Sequence, residues 1–69
     1  MKKYYVNNNT DTNPNNNHEV HAEDCHLLPL SNGTYLGVHT NCQSAVEKAR
    51  TYHSNVDGCV HCAKACHRG

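Results

Sequence analysis

The chain has 69 residues and six basic against six acidic side chains, so its formal net charge is zero. With no Trp, no Phe and 36% hydrophobic residues it has little to bury, and below about 70–80 residues such a core rarely supplies more than a few kcal/mol. These figures argue against several domains, against a helical membrane span of about 20 apolar residues, and against a basic stripe that would bind duplex DNA by charge alone.

In chain order, residues 3–6 (Lys-Tyr-Tyr-Val) read as a short strand from their aromatic and β-branched content. Seven of the eleven residues from Asn7 to Asn17 are Asn, and with Pro14 among them residues 7–17 form a solvated loop. His18-Glu19-Val20-His21 resumes an extended pattern, with Glu19 and His21 on one side and His18 and Val20 on the other. This segment can pair with the first strand as a hairpin. Cys25 to Leu30 is apolar, but Pro29 disfavours helical geometry at Leu28, so an irregular packed segment is expected. A turn at Ser31-Asn32-Gly33 leads into a third strand, residues 34–38, whose Thr34, Leu36 and Val38 share the face expected to meet the core.

A helix is predicted over residues 41–52. Thr40 would cap it, with Gln43 completing a capping box, and Cys42, Ala45, Val46, Ala49 and Tyr52 make one stripe. Cys42 on that stripe reads as a small apolar filler. Asp57-Gly58 reads as a turn, and Ala63 to Cys66 as a helical turn. The expected fold is α+β: one domain over residues 1–69, with a three-stranded antiparallel sheet, one main helix and a short C-terminal helical turn. The larger apolar candidates for its core are Tyr4, Tyr5, Val6, Val20, Leu27, Leu28, Leu30, Tyr35, Leu36, Val38, Val46, Tyr52, Val56 and Val60.

Five Cys and seven His offer what the core lacks. The start Met-Lys-Lys-Tyr-Tyr-Val has no apolar run of signal-peptide length behind it, so a cytoplasmic chain with reduced thiols is expected, and metal is favoured over bridges. An odd Cys count also leaves any full disulfide framework with one thiol over. Cys59-Val60-His61-Cys62 is a knuckle whose two-residue spacing aims both sulfurs at one point, and His21-x3-Cys25 can add two more donors. Together these four make a tetrahedral site for Zn²⁺. A local cluster of Cys59 and Cys62 with Cys66 or His67 is the competing assignment, and it would leave His21 and Cys25 unused. His18-Glu19-Val20-His21 is one residue short of the helical zinc-protease motif. His26, His39, His53, His61 and His67 read as exposed polar residues.

The order Tyr-Val-Asn-Asn-Asn-Thr, His-x3-Cys, a short strand, a helix with Ala at core spacing and a terminal Cys-x2-Cys resembles the zinc domain of the Ada DNA-repair protein. It is more similar still to small modules attached to some bacterial nucleases and DNA-uptake proteins, and to small stand-alone bacterial proteins. The resemblance covers Tyr4 to Cys62 and implies zinc on His21, Cys25, Cys59 and Cys62 in an α+β fold. Where the Ada domain carries the Cys that accepts a methyl group from DNA phosphotriesters, this chain has His21, whose imidazole lacks a thiolate nucleophile.

No phosphate loop, serine nucleophile motif or carboxylate pair points to catalysis. Two functional readings follow. One is a monomeric zinc-stabilised module that docks a protein or nucleic acid through Lys48, Arg50 and the tail from Lys64 to Arg68. The other is a metal- or thiol-redox-handling protein in which Cys42 and Cys66 bridge reversibly or pass zinc onward.

Overall fold

The computed structural model of the chain describes residues 1–10, 17–25, 28 and 32–67. The centre of the Asn-rich loop, most of the expected packed segment (His26, Leu27, Pro29, Leu30), the turn residue Ser31, and Arg68 with Gly69 lie outside the described residues. Among the described residues the fold is a small α+β arrangement of four strands and one helix: β1 (Lys2–Asn7), β2 (His18–Ala22), β3 (Gly33–His39), α1 (Cys42–Ala49) and β4 (Val56–Gly58), followed by a 3₁₀ turn at Lys64–Cys66.

The sheet is mixed, in the order β3-β1-β2-β4. β1 pairs antiparallel with β2, Val6 opposite Val20 and Tyr4 opposite Ala22, which is the expected pairing of those two segments. β3 adds antiparallel to the other edge of β1. The expected three-stranded antiparallel sheet is corrected by β4, which lies parallel to β2 with Val20 opposite Gly58. Three residues are too short for an alternation signal, and Asp57-Gly58 suggested a turn. The Asp57 carboxylate instead accepts the N–H of Gly58 at 2.9 Å, a local bond compatible with the extended chain.

β3 also departs from simple alternation. Tyr4 faces Gly37 and Tyr5 faces Tyr35, which leaves Leu36 as the extra residue of a bulge, and Gly37 takes φ +96°, a conformation that favours glycine. The bulge breaks the periodicity, so of the expected core face only Leu36 is buried, while Val38 is 48% exposed.

Alternation along the central strands turns Tyr4, Val6, Val20 and Ala22 to one side. There they form the core with Leu36 and with Cys42, Ala45, Val46 and Ala49 of α1, the predicted helical stripe without Tyr52. Tyr35, Tyr52 and Val60, also expected in the core, are exposed. The helix ends earlier than predicted, with the chain turning on through Tyr52 N–H to the Ala49 carbonyl at 2.9 Å. Its cap is Asn41 rather than Thr40: Asn41 is extended (φ −151°, ψ 172°), and its side-chain oxygen accepts the Ser44 N–H at 3.3 Å. Asn41→Ala should therefore lower stability by about 1 kcal/mol and Thr40→Ala by much less, as read from thermal melts of the two variants.

Candidate metal centre

Two segments that are far apart in sequence meet at the ends of the parallel pair β2 and β4. β2 closes in a turn in which the Cys25 N–H donates to the Ala22 carbonyl at 3.1 Å, and the Glu23 N–H donates to the Lys3 carbonyl at 2.8 Å. The turn folds Cys25 back beside His21. Beyond β4, the Cys59 N–H donates to the Val20 carbonyl at 3.0 Å, tying the knuckle to β2, and the Ala63 N–H closes the knuckle on the Cys59 carbonyl at 2.9 Å. The His61 N–H points at Cys59 Sγ (3.4 Å) and the Ala22 N–H at Cys62 Sγ (3.3 Å), so two backbone amides are ready to support thiolate charge.

The outcome is a cluster of one imidazole and three thiols: the donor atoms of His21, Cys25, Cys59 and Cys62 all lie within 4.8 Å of one another. His21 and Cys59 are fully buried, Cys25 is nearly so and Cys62 is half-buried. His21 Nδ1 is 3.6 Å from Cys25 Sγ and 3.8 Å from Cys62 Sγ, and Cys25 Sγ is 4.0 Å from Cys59 Sγ. For metal–sulfur bonds of about 2.3 Å and a metal–nitrogen bond of about 2.0 Å, a tetrahedron has S···S edges of about 3.8 Å and N···S edges of about 3.5 Å. These three separations are close to the edges of such a tetrahedron, and the four residues lie near enough to one another to hold a metal ion.

Burial keeps the His21 imidazole neutral by lowering its pKa from the ordinary 6.5. With Nδ1 among the sulfurs, the ring proton belongs on Nε2, which faces Glu19 Oε1 at 3.7 Å. That separation is too long for a direct hydrogen bond, and with a neutral ring it is no ion pair, but the carboxylate lies where it favours this tautomer. Burial, reinforced by the neighbouring Cys25 and Cys59, pushes the Cys62 thiol up to about 12. In the absence of a cation Cys62 thus keeps its proton at neutral pH.

Metal uptake must expel that proton, and every sulfur ligand enters as thiolate. The metal-bound fold holds fewer protons than the unfolded chain, so its stability rises with pH and falls on acidification. His21 adds to this in the same direction: its contribution is present above 6.5, the unfolded imidazole value, and is lost as pH falls below it. Metal release followed with a chromophoric chelator should therefore steepen below about pH 6.5.

Among the described residues, His18, His39, His53, His61 and His67 stay out of the cluster. His18 and His53 stack with ring centroids 3.8 Å apart, and His53 Nε2 meets Asn8 Oδ1 at 2.9 Å. His39 meets Ser44 Oγ and the Leu36 carbonyl, and His67 Nδ1 donates to the Gly58 carbonyl at 3.0 Å. Of the competing local ligands, His67 is thus turned to the backbone, and Cys66 is bonded to Cys42. This bridge corrects the reading of Cys42 as a mere filler, and it divides the five cysteines into one disulfide and three free thiols. A Cys on the buried stripe of the helix, with a fifth Cys left over from the four-ligand pattern, was the sequence signal for it.

Compared with known protein families, curated proteins and solved structures, the chain matches none. No helix among the described residues is long and apolar enough to cross a membrane.

Proposed function

We propose that the chain is a small zinc-binding module of the Ada-type class, in which His21, Cys25, Cys59 and Cys62 hold a structural Zn²⁺. The observation that carries this reading is the set of four donors, one imidazole and three thiols, gathered within 4.8 Å of one another. One imidazole and three thiolates suit zinc, and four protein ligands fill its coordination shell, leaving no position for a catalytic water. When bound, the ion supplies cross-linking of the two halves of the chain and no reaction. Within the proposal the module works in the cytoplasm as a binding domain for a protein or nucleic acid.

Lys48, Arg50 and Lys64 are exposed and are the cations we assign to partner docking. Tyr5 and Tyr35, ring centroids 5.3 Å apart, form a separate surface on the sheet side turned away from the core and α1, where bases of a single strand can stack. Native mass spectrometry of the purified chain should find one zinc, and Co²⁺ substitution should give the absorption of a tetrahedral thiolate site. Iron in place of zinc, or no metal, overturns the assignment. Titration with single-stranded and duplex DNA at low salt tests the nucleic-acid arm: no chemical-shift change at Lys48, Arg50, Tyr5 or Tyr35 ends it and leaves a protein partner.

A further inference from the structure

Cys42 and Cys66 take no part in the metal cluster and are bonded to each other across 24 residues of sequence. Both line a cavity of about 600 Å³ whose wall also presents Glu47, Arg50 and Val56. That volume falls in the range of small-molecule sites, roughly 300–1,000 Å³.

The two sulfurs differ in setting. Cys42 is the first residue of α1 and is 9% exposed, so a thiolate there sits at the positive end of the helix dipole. Cys66 ends the 3₁₀ turn and is half-buried, so it is the sulfur that an incoming group can reach. The cavity wall is charged with both signs, Arg50 suiting a carboxylate and Glu47 an ammonium.

We propose that Cys42–Cys66 is a second site, independent of the metal centre, that undergoes thiol–disulfide exchange with a small charged thiol of the glutathione class. A thiolate of this class attacks Cys66 Sγ. The bond from Cys66 to Cys42 breaks, a mixed disulfide forms on Cys66, and the electron pair leaves on Cys42 as thiolate at the head of α1. A second small thiolate then attacks the small-molecule sulfur of the mixed disulfide and releases Cys66. Two small thiols become one disulfide, the bridge gains two electrons, and the two protons end on Cys42 and Cys66. The reverse sequence closes the bridge. A disulfide that opens in this way is the kind found in reducing compartments, where such bonds are mostly transient.

The test uses the full metal-loaded chain. Equilibrated with graded ratios of reduced and oxidised glutathione and quenched by alkylation, the Cys42–Cys66 pair is expected to pass from bridged to reduced within the range glutathione buffers, with metal still bound. A bridge that stays closed until denaturant is added overturns the proposal and leaves a structural staple. Cys42→Ser should trap oxidised glutathione on Cys66, and Cys66→Ser should trap it on Cys42 about tenfold more slowly; the opposite order overturns the assignment of the attacked sulfur. Arg50→Ala should slow opening by glutathione and leave opening by uncharged mercaptoethanol unchanged. Equal rates with and without Arg50 remove the charged-thiol assignment, as does opening by a dithiol protein but not by glutathione. Because the readout is the state of Cys42 and Cys66, a failure here does not touch the four metal ligands.

Discussion

Removing the metal with a strong chelator is expected to collapse the dispersed NMR spectrum of the folded chain to that of an unfolded one, and returning zinc is expected to restore it. Among the described residues the buried apolar side chains are mostly small: four Ala and two Val stand beside Tyr4, Leu36 and Val46, and the chain has no Phe or Trp. A bound structural zinc contributes roughly 10–16 kcal/mol apparent in small domains, against a total stability of about 5–15 kcal/mol for an ordinary one. The Cys42–Cys66 bridge cannot make up that loss, since closing a loop of this length is worth about 3 kcal/mol. Cys59→Ser is the matching variant. Its sulfur is wholly buried, receives the His61 N–H and adjoins the backbone bond that ties the knuckle to β2, so the variant should neither retain zinc nor fold. Cys42→Ser should still bind zinc. Dispersed peaks in the chelated wild-type chain would show that the core and bridge suffice, and the structural role of the metal would fall.

How far the sequence foretold this arrangement depends on how local each signal is. The two-residue spacing of Cys59 and Cys62 and the His21-x3-Cys25 pattern are short-range geometry, and the donors they named come together in one cluster. The helical stripe from Cys42 to Ala49 is likewise a local periodicity and is buried as expected. β4 escaped because parallel pairing with β2 is a long-range fact about two strands that carry no mutual pattern, and because Asp-Gly has a stronger association with turns than with strands. The exposure of Val38 follows from the bulge at Leu36 and Gly37, which shifts the face without changing the residue types. The Cys42–Cys66 bond joins a helix start to a turn 24 residues later, and spacing alone does not specify such a pairing.

Gly58→Ala is expected to be the most damaging conservative change in the chain outside the metal ligands. A Cβ built on Gly58 would stand 2.7 Å from the Ala63 carbonyl oxygen, 2.7 Å from Cys66 Cβ and 2.9 Å from the Cys66 carbonyl carbon. None of these atoms is the free end of a flexible side chain. Ala63 is fixed by its N–H to the Cys59 carbonyl, and Cys66 by its N–H to the Ala63 carbonyl and by its bond to Cys42. The added methyl must push the 3₁₀ turn away from β4 against those tethers. Overpacking of this kind costs about 1–3 kcal/mol, and in a domain of 60–100 residues each kcal/mol moves Tm by about 4–8 °C. Because Gly58 directly precedes Cys59, the displacement also reaches the metal centre, and zinc should dissociate faster from the variant than from wild type. Opening the bridge with Cys66→Ser gives the turn freedom to move, so the double variant should lose less than the sum of the two single changes. Strict additivity, or a Gly58→Ala melt that coincides with wild type, would mean that the turn is not seated against Gly58.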